Sequence, residues 1–174
     1  YVVPGGVEIH CHGGGGGDFM EGTEEAFRTA INAHMKHGTT SIFPTLSSST
    51  VPMIEAAAET CTRLMAEPDS PVLGLHLEGH YLNMKMAGGQ MPENIKDPDP
   101  KDYIPIVEKL GCIKSSDAAP ELPGAMQFGK YITGNGILAS VAHTQAEYED
   151  IRAAWESGYS HATHFYNAMP GFHK

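Results

Sequence analysis

Six short, apolar or β-branched runs are spaced along this chain, and five longer helix-like segments fill the intervals between them. Strands separated by helical crossovers pair in parallel, because a tight turn can only return the chain in the opposite direction. The runs are VVPGGVEIHCH, TTSIFPTL, PVLGLHLEG, CIKSSDAAPEL, ILASVAHT and YSHATHFYNAM. The helical segments are TEEAFRTAINAHMKHG, VPMIEAAAETCTRLMAE, KDYIPIVEKLG, GAMQFGKYITGNG and QAEYEDIRAAWESG. Thr23 is the expected N-cap of the first helix, with Glu24 and Glu25 at the positive end of its dipole and Gly38 as its stop. Pro52 suits the first turn of the second helix. An irregular stretch from about His80 to Pro100 separates the third strand from the third helix.

Such alternation builds either an open doubly wound sheet or a (β/α)8 barrel. No G-x-G-x-x-G or Walker A pattern marks a nucleotide fold. Polar residues gather instead where strands end, which is where a barrel keeps its active site. The expected fold is therefore α/β, a (β/α)8 TIM barrel present in part. Six strands in 174 residues fall short of the eight units and about 250 residues of a complete barrel. The length suffices for one domain with a core, and no internal repeat or linker interrupts it. A net charge of −10 and a pI near 5.4 argue against nucleic-acid and membrane-surface partners. No apolar run approaches the roughly 20 residues of a membrane span, and no signal peptide precedes the first strand. Cys11, Cys61 and Cys112 are odd in number and widely spaced. They read as free thiols of a reducing, cytoplasmic setting.

Histidine occurs ten times, against eleven lysines and arginines together. His10 and His12 stand two apart on one strand and so share a face, with Cys11 on the other. Five glycines follow, at 13–17. They read either as backbone that approaches a ligand closely or as a flexible loop. An isolated H-x-H is as readily a pair of hydrogen-bonded histidines as a ligand pair. Three later residues shift the balance: Glu78, His143 and His164 each end a predicted strand, the third, fifth and sixth. In a closed barrel those ends converge, placing four imidazoles and one carboxylate in a single pocket. Such donors suit Zn, Fe, Mn or Co, and the two oxygens of Glu78 could bridge two ions. His34 and His37 are expected to pack or face solvent, and His76 to be a satisfied interior histidine. His161 has the opposite parity to His164 on the last strand. The stripe Ile54, Ala57, Ala58, Cys61, Leu64 and Met65 is core, and Trp155 is expected to pack.

The segments PGGVEIHCHGG, HGTTSIFPTL, GLHLEG with YLN, AAPE, VAHT and THFYNAMP occur in an order that resembles the N-acetylglucosamine-6-phosphate deacetylase family of the amidohydrolase superfamily. The resemblance spans essentially the whole chain. It implies Glu78, His143 and His164 as principal metal ligands and His10 and His12 as the pair that some members keep for a second ion. It also implies that Asn167 and Ala168 hold the sugar phosphate, and that Gly89 and Gln90 form a substrate-contacting turn. Activity would be removal of acetate from N-acetylglucosamine 6-phosphate in amino-sugar catabolism, by a cytoplasmic homodimer using one or two divalent ions, zinc first among them. Such an ion activates water and polarises the amide carbonyl. The family's general base is an aspartate after an eighth strand, so it is expected beyond residue 174, and neither Asp117 nor Glu121 matches it. Residues 1–174 are accordingly expected to be a partial barrel domain, inactive alone, without the last two barrel units or the small β-sandwich domain. His173 and Lys174 lie where further basic groups would begin. His80 stands where the family usually has proline. The alternatives are an N-acetylgalactosamine-6-phosphate deacetylase, another amidohydrolase, or a non-catalytic metal-binding relative.

Overall fold

The computed structural model describes residues 1–171. The strands are β1 (Gly6–Cys11), β4 (Thr39–Leu46), β5 (Leu75–Tyr81), β6 (Ile113–Ala118), β7 (Leu138–Val141) and β8 (Tyr159–Ala162), with β2 (Gly13–Gly14) and β3 (Gly17–Asp18) forming a separate two-residue ribbon. The helices are α1 (Glu24–Met35), α2 (Val51–Met65), α3 (Pro100–Lys109), α4 (Ala125–Gly134) and α5 (Tyr148–Glu156). Among the described residues the six main strands follow one another across the sheet in chain order, β1-β4-β5-β6-β7-β8. A doubly wound sheet starts in its middle and reverses direction at a switch point. Strictly sequential order is how a barrel is wound, and it decides between the two folds that the alternation permits.

The chain divides into two compact units. One comprises residues 1–46, 50–76 and 112–114, and the other comprises residues 47–49, 77–111 and the chain from Ser115 onward. In the first, β1 pairs in parallel with β4, from Gly6 opposite Thr39 to Cys11 opposite Pro44. Thr23 caps α1 by accepting the Ala26 N–H at 3.2 Å, with Glu24 and Glu25 in the first turn. Phe19 and Phe27 are fully buried, their rings 4.9 Å apart. Each contributes roughly 2–3 kcal/mol by leaving water. The α2 stripe Ile54, Ala57, Ala58, Cys61 and Leu64 is buried as the periodicity predicts, while Met65 at its end is half-buried.

The glycine run is not a loose loop. It folds into the β2–β3 ribbon, Gly13 opposite Asp18 and Gly14 opposite Gly17. The ribbon lies on α1: a methyl group at Gly17 would collide with the Ala26 carbonyl oxygen. His34, on α1, bonds the Gly13 carbonyl oxygen through Nε2 at 3.0 Å. The glycines are there because helix and ribbon backbones touch.

In the second unit β6, β7 and β8 pair in parallel, with Ala118 opposite Val141 and Val141 opposite Ala162. Tyr81, Tyr103 and Phe128 stack edge to face, with ring centroids 4.8–6.3 Å apart. Tyr159 donates its hydroxyl to the Ala125 carbonyl at 2.8 Å, and Gly129 leaves room for its ring against α4. Two expectations fail in this unit. The run YSHATHFYNAM is strand only through Ala162, and the residues after it form turns. Strand parity therefore does not relate His161 to His164. Trp155 does not pack: it is 70% exposed, beside Tyr148 and Ile151 on an apolar groove of about 530 Å³. A helical period places a residue on a face but does not say which faces acquire a neighbour. His173 and Lys174 lie outside the described residues.

Gly17→Ala is expected to lower stability by about 1–3 kcal/mol through overpacking. Gly111→Ala, at an exposed position with open space around it, should stay within about 0.5 kcal/mol. Urea denaturation of both variants checks this, and equal stability would show that the ribbon does not press on α1.

Candidate metal centre

In the second unit the sheet delivers three donors to one point. Glu78 is on β5 and is 2% exposed, His143 lies two residues beyond β7, and His164 two residues beyond β8. Glu78 Oε1 is 2.7 Å from His164 Nε2 and 3.0 Å from His143 Nε2, and the two Nε2 atoms are 3.1 Å apart. The opposite nitrogens are committed elsewhere. His143 Nδ1 lies 2.7 Å from the Met86 carbonyl oxygen, and His164 Nδ1 lies 3.1 Å from that of Asn167. A carbonyl oxygen only accepts, so each Nδ1 carries a proton, and in the neutral tautomer each Nε2 turns its lone pair toward Glu78. A carboxylate oxygen and two unprotonated nitrogens at these distances repel unless a proton or a cation joins them. Carbonyl-anchored imidazoles beside a carboxylate are the usual donors for a divalent metal.

The protonation of His143 reflects the same field. Burial disfavours its charged form, but bonds to Glu78 and the Met86 carbonyl, with the charges of Glu78 and Asp117, outweigh that and raise its pKa above the ordinary 6.5. Gly88, at φ +57°, brings backbone to van der Waals distance of the imidazole, 3.5 Å from Cε1 for a notional Cβ. Neither Met86 nor Gly88 was singled out from sequence. A carbonyl support has no side-chain signature, so only the fold reveals it.

The sequence-predicted residues of the first unit lie close to one another. His10 and His12 rings lie 5.1 Å apart, edge to face, and His76 lies 5.2 Å from His10. His76 is buried and bonded through Nδ1 to Thr45 Oγ1 at 3.2 Å, as expected of an interior histidine. The Cys11 thiol is pushed up to about 12 by burial and by Glu8. The remaining site residues are all in the second unit. Asn167 is exposed, and its N–H and side-chain amide both donate to the His164 carbonyl at 2.8 and 3.2 Å. Ala168 is half-buried with φ +51°, and its carbonyl accepts the Thr144 N–H at 3.1 Å. Gly89 is exposed, whereas Gln90 is buried and accepts the Ser48 N–H through Oε1 at 2.6 Å. Asp117 is fully buried and accepts from Thr163 Oγ1 at 3.0 Å, the start of a chain through Ser140 to His161.

The amidohydrolase family pattern matches residues 1–174. The chain belongs to the amidohydrolase family. Membership implies a divalent metal, and the three-donor set fits one. This amidohydrolase is 34% identical to an N-acetylglucosamine-6-phosphate deacetylase of Bacillus subtilis over 99% of its own length and 45% of that protein. It is 29% identical to one of Lysinibacillus sphaericus over 99% and 46%. It is also similar to the solved structure of a Mycobacterium smegmatis N-acetyl-D-glucosamine-6-phosphate deacetylase mutant in complex with N-acetyl-D-glucosamine-6-phosphate. There the TM-score is 0.90 at 32% identity, covering 97% of this chain and 44% of that one. The chain thus spans less than half the length of these relatives. Its fold is the amidohydrolase (β/α)8 barrel in incomplete form.

His80 ends this region with a second consequence of burial. It is 7% exposed, and its Nε2 has no hydrogen-bond partner among the described residues. Burial, and then Lys96, lower its pKa to about 4, with Asp102 acting the other way. The unfolded chain takes up this proton near pH 6.5 and the fold does not, so the contribution is complete above 6.5 and is lost as pH falls toward 4. His80→Met is expected to flatten the stability–pH curve across that window, by on the order of 2–3 kcal/mol at its acid end. Urea titrations at pH 4, 5 and 7 measure it; an unchanged acid slope would rule this origin out.

Proposed function

We propose that this chain is the metal-binding part of an N-acetylglucosamine-6-phosphate deacetylase, a hydrolase that releases acetate and glucosamine 6-phosphate. The supporting observation is the convergence of Glu78 Oε1, His143 Nε2 and His164 Nε2 within 3.1 Å with both Nδ1 protons committed to carbonyls. When bound, a divalent ion supplies water activation and carbonyl polarisation. Glu78, His143 and His164 would hold it. Met86 and Asn167 keep the two imidazoles in the Nε2-donor tautomer. His10 and His12 are proposed as ligands of a second ion on the sequence pattern alone. Asn167 and Ala168 are proposed to hold the sugar phosphate, and the Gly89–Gln90 turn, anchored on Ser48, to border the sugar. No residue of this chain is proposed as the general base.

Zinc is the proposed ion, since imidazole and carboxylate are its ordinary ligands. Amino-sugar catabolism, a cytoplasmic setting and a homodimer follow from the resemblance, and the three free thiols accord with a reducing compartment. Among the described residues no helix is long and apolar enough to cross a membrane. The acidic charge of −10 disfavours nucleic acid and anionic lipid.

The test is glucosamine 6-phosphate release by the purified protein that carries this chain, with N-acetylgalactosamine 6-phosphate as the comparison substrate. A Shewanella relative, 27% identical over 97% of this chain, carries that second activity in its name. Preference for the glucosamine epimer is expected. His143→Ala should reduce turnover and bound zinc together, by more than the roughly 10–100-fold that loss of a supporting contact costs. Stoichiometric zinc with no turnover of either sugar would overturn the deacetylase reading while leaving the metal site standing.

A further inference from the structure

We propose that Glu121 is a positioning residue for the metal site, one carboxylate that holds the loops around His143 in register; this rests on the metal-binding reading above. Glu121 follows β6 and belongs to none of the donor atoms. Its Oε1 accepts from Asn83 Nδ2 at 2.8 Å and from the Gln145 N–H at 2.6 Å, and its Oε2 accepts from the Thr144 hydroxyl. Those three donors come from both sides of His143.

Thr144 and Gln145 directly follow His143, whose φ is +44°. A non-glycine residue in that region costs of order 1–3 kcal/mol and persists only where its surroundings over-determine it. Two bonds from Glu121 to the next two residues supply that constraint. Asn83 acts from the other side. Its N–H donates to the His143 carbonyl at 2.9 Å, and its own carbonyl accepts the Met86 N–H at 2.8 Å. That short turn presents the Met86 carbonyl to His143 Nδ1 at 2.7 Å. Glu121 therefore anchors both the backbone that aims the imidazole and the turn that selects its tautomer. The connection continues: the Thr144 N–H donates to the Ala168 carbonyl at 3.1 Å, in the turn that carries His164. Charged acceptors make the stronger hydrogen bonds, and a carboxylate has the acceptor sites for all three donors at once.

Zinc titration of the purified, chelator-treated protein tests this. Glu121→Ala should weaken zinc binding about 10–100-fold. Glu121→Gln should stay within a few-fold of wild type, because its amide oxygen can take both Oε1 bonds while its NH2 turns to the Thr144 hydroxyl. In a His143→Ala background, Glu121→Ala should add no further loss, which separates action through His143 from a general loss of structure. Wild-type affinity in Glu121→Ala, or losses that add fully in the double variant, would overturn the assignment. If Glu121→Ala does not fold, Asn83→Ala and Thr144→Ala each remove one donor, and undiminished affinity in both overturns it equally. A wild-type protein that binds no zinc is a different result: it removes the metal site itself, and this role with it.

Discussion

Three ligand-type atoms converge at one point in this molecule. Glu78 Oε1, His143 Nε2 and His164 Nε2 lie within 3.1 Å of one another, and the imidazole protons sit on the far nitrogens, against the carbonyls of Met86 and Asn167. In water such groups would drift apart or protonate. Here the protein holds them, and Glu78 is 2% exposed, so solvent cannot screen the repulsion. The arrangement favours a positive charge, and the raised pKa of His143 is that preference expressed toward a proton.

Holding that geometry requires backbone that the chain would not otherwise adopt. Among the described residues, five besides glycine have positive φ, and four of them, His143, His164, Tyr166 and Ala168, lie at the ends of β7 and β8. The strands stop early so that these turns can form: β7 ends at Val141 and β8 at Ala162. Parallel pairing brings the strand ends side by side, and the strained turns then aim the side chains. Hydrogen bonds such as Thr144 N–H to the Ala168 carbonyl and Asn167 N–H to the His164 carbonyl keep the turns from relaxing. Strain of this kind clusters where function demands a fixed geometry.

Much of this was legible in the sequence. Among the described residues, periodicity located the six main strands and the five α-helices, since burial of one helical face and of the strands leaves a repeating apolar signal. The ligand-type residues Glu78, His143 and His164 stood out because each followed an apolar run. The ends of the elements were less legible. YSHATHFYNAM looked like one strand, yet only Tyr159–Ala162 is, because its apolar and aromatic residues suit a turn over a site as well as a sheet. The five-glycine run read either as backbone close to a ligand or as a flexible loop, and is a ribbon pressed on α1, because glycine permits close approach without saying to what. Trp155 looked like packing and is exposed.

The sequence by itself determined the class of fold, the order of its elements and which ligand-type side chains stand near strand ends, because hydrophobic period and residue type are local properties. The tertiary structure bears out the barrel reading through the sequential strand order, which depends on pairings between distant segments. It alone placed Nε2 of His143 and His164, and not Nδ1, toward Glu78, since that choice is made by the Met86 and Asn167 carbonyls. Backbone carbonyls are the same in every residue, so where one points can be learned only once the chain has folded around it.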